Sequence, residues 1–346
     1  MTFTREQDDL RAGVRQLLER EPAPWPALCT QVGVAALTVP ERYGGLAASE
    51  QLDSPAEAGL RHDGAGLTEV QIIAEELGRN LTDVPFLGSA VLTTTALLTI
   101  TDHAAQKRLL PPLAAGHIGA LAWTSDGQWD PHQPAFTSDK STLDGTAHYV
   151  LDAARADVLL AAARTPDGPA LFEVDPAARG VRCEAVPTMD ETRHLATVTL
   201  DHVRTRPLGQ VDLARVRDVA CAVLAAEQAG SAARALELTV EYSQQRVQFG
   251  RPIGSFQALK HRMADLHVLV ETARSAAYAA PGSARLAAVA KVHCSDVFTK
   301  VAAEMIQLHG GIAITWDHPA HRYFKRAHAT AQLFGVPHHH LSRVHP

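Results

Sequence analysis

The chain has 346 residues, 46% apolar and only 5% aromatic, with a formal net charge of −6. That length can bury a sizeable core in two or three domains, and its scattered lysines and arginines argue against a nucleic-acid surface. No apolar run reaches the roughly 18 to 20 residues of a membrane span, and the opening MTFTREQDDLRAG has no signal-peptide core. Cys29, Cys183, Cys221 and Cys294 lie far apart without CxxC spacing, so neither a zinc site nor a disulfide framework is indicated. A cytoplasmic chain without a metal is the expectation.

Residues 1–115 read as a helical N-terminal domain. Val70, Ile73, Ala74 and Leu77 fall on one face at helical spacing, with Glu69, Glu75 and Glu76 elsewhere and Thr68 as a candidate N-cap. The uncharged run Ala90–Leu98 predicts a buried helix. From 116 to 208 short apolar runs take over, at Tyr149–Leu151, Asp157–Ala161 and Ala196–Asp201. Asp144-Gly145 and Pro166-Asp-Gly-Pro169 serve as turn signals between them. This texture predicts a small antiparallel β domain.

Residues 209–346 return to the helical period. Ala214–Gln245 contains no proline and predicts one long helix, with Gly230 in its middle at a cost of about 1 kcal/mol, a sign of close packing there. Pro281-Gly282 predicts a tight helix–helix turn, and Ser283–Leu308 a further helix stopped by Gly310-Gly311. The run His338–His340 reads as a frayed tail rather than a metal site.

Two segments of this last region bear on function. Arg246-Val-Gln-Phe-Gly250 and Gln307-Leu-His-Gly-Gly311, about sixty residues apart, resemble the RxxFG and QxxGG flavin motifs of the acyl-CoA dehydrogenase family. The order helices, β domain, helices is similar to that family over the whole chain. The resemblance implies an α+β fold: a helical N-terminal domain, a central antiparallel β domain and a C-terminal four-helix bundle. It also implies FAD as cofactor, an acyl thioester on CoA or a carrier protein as substrate, and an oligomer.

By that resemblance Arg246 meets the pyrophosphate and Phe249 the adenine, while Gln307, Gly310 and Gly311 serve the FAD of a neighbouring subunit. A dianionic pyrophosphate calls for such a cation and for glycines that admit backbone approach. On the ring side the family's Thr-Glu-Pro segment matches Trp123-Thr-Ser-Asp126, keeping Thr124, with Asp130 where a serine is usual. Its Trp-Ile-Thr-Asn matches Tyr149-Val-Leu-Asp152, so Tyr149 keeps an aromatic wall but Leu151 has no hydroxyl.

Dehydrogenation of an acyl thioester removes an α-proton, work suited to a desolvated carboxylate. Counted from Pro319, the family's glutamate position holds Phe334, followed by Gly335; a second branch's position falls near Ala220. Two other carboxylates are candidate bases. Glu227 lies on the long helix among alanines, seven residues and about 10.5 Å from Arg234 along the axis. Asp317 lies on the turn after the glycines, where a turn-forming role also accounts for it. Three functions follow: an FAD-dependent dehydrogenase with a displaced base; a base-less subunit completing the flavin site of a mixed complex; or a flavin monooxygenase or non-redox enzyme on the same fold.

Overall fold

The computed structural model describes residues 3–20, 25–47, 66–139 and 142–344. The N-terminal helices are α1 (Arg5–Arg20), α2 (Trp25–Gln31), α3 (Leu67–Arg79), α4 (Thr94–Thr99) and α5 (His103–Ala114). α3 starts at Leu67 behind an uncapped Gly66, so Thr68 lies inside the first turn rather than capping it. Its apolar face is buried as expected, but Glu75 and Glu76 are buried too. Arginines of α1 make this possible, with Arg15 donating to both Glu76 oxygens at 2.6 and 2.8 Å.

The buried run before α4 is not uniformly α-helical. Phe86–Thr93 forms a π-helix, and the hydroxyls of Thr93 and Thr94 donate to the carbonyls of Gly88 and Ser89, five residues back. Ser89 meanwhile accepts the Gly119 N–H at 2.8 Å and donates to the His117 carbonyl, tying this wider coil to the first strand.

Eight strands form the central sheet: β1 (Gly119–Ala122), β2 (Phe136–Asp139), β3 (Thr142–Leu151), β4 (Val158–Thr165), β5 (Gly168–Val174), β6 (Val181–Val186), β7 (Leu195–Arg204) and β8 (Arg206–Gln210). The order is β6-β7-β3-β2-β4-β5-β8, with β1 also on β4. Hairpin-linked pairs are antiparallel, but β1 and β2 each run parallel to β4, because the chain reaches β4 from both by crossings rather than hairpins. Pro166-Asp167 makes the expected turn between β4 and β5. Asp144-Gly145 makes none: it is an irregularity inside β3, with Gly145 at φ 142°. Along β4, Leu159, Ala161 and Ala163 join a core within the sheet, while Leu160 and Ala162 join the core shared with the helices. The period of two thus seats the sheet on the helices.

The C-terminal bundle comprises α6 (Leu213–Gln245), α7 (Gln257–Ala279), α8 (Ala284–His309), α9 (Ala320–Gln332) and α10 (Pro337–Val344). Asp212 caps α6 and Ser283 caps α8 through their side chains. Gly230 earns its place at the crossing with α3, where a Cβ would stand 2.0 Å from the Glu75 carbonyl oxygen. Reciprocally, a Cβ on Gly78 would stand 2.1 Å from the Glu227 carbonyl oxygen. Residues 337–344 are no frayed tail, since α10 packs on α8 and His340 is buried. No helix of the described residues is long and apolar enough to cross a membrane.

Candidate functional site

The motif residues gather at one end of the bundle. Tyr242, in the last turn of α6, stacks on His309 with ring centroids 4.4 Å apart and donates to its carbonyl at 3.3 Å. That contact joins the ends of α6 and α8, which carry the two motifs. Arg246 is the C-cap of α6, exposed, and makes no ion pair among the described residues. Val247-Gln248 and Arg251-Pro252 then pair as a minimal hairpin, β9 and β10. Its two-residue turn has Phe249 at φ 53° and Gly250 at φ 77°. A phenylalanine in that left-handed position is strained, by roughly 1–3 kcal/mol. Phe249 is also 93% exposed, so little of this chain compensates the strain.

Gln307 is exposed in the last turn of α8. Gly310 caps the helix at φ 64°, whereas Gly311 has no left-handed backbone, and a Cβ on either meets no atom within 4 Å. The internal packing gives no reason for glycine at 311. Ile312, Ile314 and Trp316 are exposed beside it, the last two at 76% and 75%. A guanidinium without an ion pair, exposed aromatics and glycines in open space fit an anionic, aromatic ligand. The ADP half of FAD answers that chemistry. Asp317 lies exposed on this same turn and does not border the cleft described next.

The second element is a cleft of about 600 Å³ between the sheet and α9–α10. Tyr149, Gly127, Trp129, Met189 and Leu195 line the sheet side; His328, Gln332, Leu333, His338 and His339 line the helical side. Tyr149 reaches it through a bulge in β3, where the register slips between Ala147 and Val150 and Tyr149 takes φ 57°. Thr124 lies behind this wall, buried, its hydroxyl donating to Asp126 Oδ1 at 3.2 Å and accepting from Gly127 N at 3.0 Å. Leu151 points into the core. The cleft is large enough for a planar ring, with fewer free side-chain hydroxyls than the family motif would supply.

Phe334 packs behind the cleft, against Trp129 and next to Leu333, which both line it. It is fully buried at φ 60°, and its ring meets Trp129 edge-on at 5.0 Å. Trp129, itself at φ 58°, meets Trp123 in the same way at 5.4 Å. His340 holds the turn: its Nε2–H donates to the Phe334 carbonyl at 2.9 Å, while Nδ1 accepts from Arg343 at 2.9 Å. Since arginine only donates, this fixes the neutral tautomer. Burial pushes the His340 pKa down to about 4, with Arg343 adding to the effect.

Neither expected base position offers a proton acceptor, Ala220 being fully buried in the core. Glu227 does not border the cleft. It accepts from Arg326 Nη1 at 2.8 Å and from Arg193, and not from Arg234, which turns to Glu237 and Glu241. Burial pushes the Glu227 pKa up, but Arg193 and Arg326 bring it below the ordinary carboxylate range. A base must be free to take a proton, and this carboxylate is held ionised. Among the described residues the one carboxylate lining the cleft is Asp126, which ends the segment matched to the family's Thr-Glu-Pro but was not singled out as a base; its Oδ1 accepts from Gln128 N at 2.9 Å.

A helical scaffold carrying a seated sheet, with a cofactor-sized cleft between sheet and bundle, defines an acyl-CoA dehydrogenase architecture. Residues 218–344 match the family described as acyl-CoA dehydrogenase, C-terminal domain. Acyl-CoA dehydrogenase IpdE2 of Mycolicibacterium smegmatis is 38% identical over 338 residues, spanning 97% of this chain and 91% of that protein. IpdE2 of Mycobacterium tuberculosis is 39% identical over 367 residues, 99% of this chain and 98% of its own length. Among solved structures, the Tcur3481–Tcur3483 steroid ACAD G363A variant aligns at TM-score 0.82 and 30% identity, covering 98% of this chain and 96% of that one. A chain of the ChsE4–ChsE5 complex from Mycobacterium tuberculosis aligns at 0.84 and 26% identity, covering 99% and 97%. The chain belongs to the acyl-CoA dehydrogenase family.

Proposed function

We propose that this chain is the base-less subunit of a mixed FAD-dependent acyl-CoA dehydrogenase, completing a flavin site while a second family member supplies the carboxylate that takes the α-proton. The carrying observation is Phe334, buried at the base position, wedged against Trp129 and pinned by His340. General-base catalysis contributes about 10²- to 10⁴-fold, and no side chain at that position here accepts a proton. Relatives described as the two-component Tcur3481–Tcur3483 and ChsE4–ChsE5 assemblies support pairing of unlike chains.

In this reading Arg246 binds the pyrophosphate, Phe249 covers the adenine, and Gln307, Gly310 and Gly311 form the rim offered to the flavin of a neighbouring chain. Tyr149 walls the ring, and the buried Thr124 shapes the loop beneath it. Bound FAD supplies the two-electron redox chemistry. This chain's own part is to orient the cofactor and exclude water through Trp129 and Leu333, with Phe334 packed behind Trp129. The substrate is an acyl thioester taken up beside the partner's base.

The deciding experiment co-expresses the chain with a family member that keeps its glutamate, then compares flavin content and anaerobic bleaching by acyl-CoA for the pair and for each chain alone. The pair should co-purify yellow and bleach, and this chain alone should turn over at least a hundredfold more slowly. Ordinary turnover by the isolated chain, abolished by Asp126→Asn, would instead identify a displaced base and a self-sufficient dehydrogenase.

A further inference from the structure

A compact group of ionised side chains joins the sheet to two helices beside the cleft, and neither the motifs nor the proton chemistry uses it. The connection between β6 and β7, residues 187–194, leaves the sheet and reaches Arg326 on α9. Asp190 lies 2.7 Å from Arg326 Nε, and the Thr192 carbonyl accepts from Nη2 at 3.0 Å. Thr192 Oγ1 takes a further bond from Nε at 3.1 Å. Nη1 donates to Glu227 on α6 at 2.8 Å, and Glu227 also accepts from Arg193 of the same connection. The four charged side chains are no more than 10% exposed. Two cations and two anions cancel, so the group stays ionised inside the protein.

What this group fixes is the cleft. Met189 immediately precedes Asp190 and Leu195 follows His194, and both line the sheet side. His328, Ala329 and Gln332, in the turns after Arg326, line the opposite side. One guanidinium therefore holds both walls, and a fork of five fixed donors sets their separation more stiffly than apolar contact would. Outside it, His194 bonds Asp83 at 2.8 Å and Arg155 bonds the same carboxylate at 3.4 Å, which extends the tie to the loop after α3.

We infer that Arg326, with Glu227, Asp190 and Arg193, is an interdomain clamp that sets the width of the ring-binding cleft, making Arg326 a positioning residue for the flavin. The inference rests on the reading that this cleft receives the flavin ring. The clamp acts by holding residues 187–195 against α9, and it touches neither cofactor nor substrate.

The test compares Arg326→Gln, Glu227→Gln and Arg326→Lys with Phe172→Ala, a substitution inside the sheet core away from the cleft, chosen to match their loss in Tm. Two quantities are read: amide hydrogen exchange in the flavin-free chain, and FAD dissociation from the chain or its complex. Arg326→Gln should speed exchange in residues 187–195 and 320–332 together and weaken FAD retention at least tenfold, with a blurred flavin absorption band. Arg326→Lys, keeping charge but not the fork, should recover only part of this. Phe172→Ala at equal Tm should do neither. Unchanged exchange in residues 187–195, or flavin loss equal to that of Phe172→Ala, overturns the clamp. Failure of the wild-type protein to hold FAD, alone or with a partner, would instead sink the flavin reading, while the exchange comparison still decides whether the clamp exists.

Discussion

A methyl group at Gly230, where α6 crosses α3, would stand 2.0 Å from the Glu75 carbonyl oxygen, while one at Gly311, past the end of α8, would meet nothing within 4 Å. The same residue type answers two different demands. At the crossing, glycine lets two helix backbones touch, and small neighbours such as Ala226 and Ala229 extend that approach along α6. At the open end the fold makes no use of the missing side chain at 311, and Phe249, Ile314 and Trp316 nearby stay largely exposed. The first region is explained by the chain itself; at 311 the second has no such internal account.

The sharpest way to break this contrast is to add the methyl. Gly230→Ala should destabilise the protein by about 3 kcal/mol, since two packed helices must separate. Denaturant unfolding measures this, and a change under 1 kcal/mol would mean that the crossing is looser than described. Acid probes the same interior through His340, whose folded pKa of about 4 lies below its ordinary 6.5. The proton therefore favours the unfolded chain, and this contribution is intact above pH 6.5 and lost as pH falls from there toward 4. It amounts to roughly 3 kcal/mol at the acid end. His340→Gln, which can still donate to the Phe334 carbonyl, should flatten the Tm profile between pH 7 and 4.5.

At the open end the expected pattern reverses. Arg246→Ala should leave stability within about 0.5 kcal/mol of wild type, as surface substitutions do. Equilibrium dialysis should nevertheless find FAD retention reduced at least tenfold, because a charge-assisted contact is gone. Gly311→Ala should have the smallest effect on Tm, within experimental error, and show itself only in weaker FAD binding or weaker association with the partner chain. If Gly311→Ala unfolds the protein, its glycine serves the fold after all and the contrast collapses.

Much of the architecture is visible in local pattern. The long helix forecast for 214–245 runs from 213 to 245, and the tight packing inferred from Gly230 is there. Short apolar runs at 149, 157 and 196 mark strands because alternation along a strand is a nearest-neighbour property. The two motifs are also local, and the fold brings them to one end of the bundle. Other expectations failed where distant groups intervene. Asp144-Gly145 carries a turn signature, yet pairing with β7 absorbs it as an irregularity of β3. The histidine run at 338–340 looks like tail composition, yet a carbonyl at 334 and an arginine at 343 bury its last member.

Local pattern carried the order of helices and strands, the family and the two motifs, because periodicity, capping and short motifs are written over a few neighbouring residues. The fate of Glu227 was settled by long-range contacts. Its partners Arg193 and Arg326 lie 34 and 99 residues away, and nothing in the local chain reveals that they converge on one buried oxygen. Tertiary contact likewise brought Trp129 against Phe334, two left-handed residues far apart in sequence whose strain is offset by each other's ring. Such pairings depend on which surfaces the cores force together, and burial makes that choice over the whole chain at once.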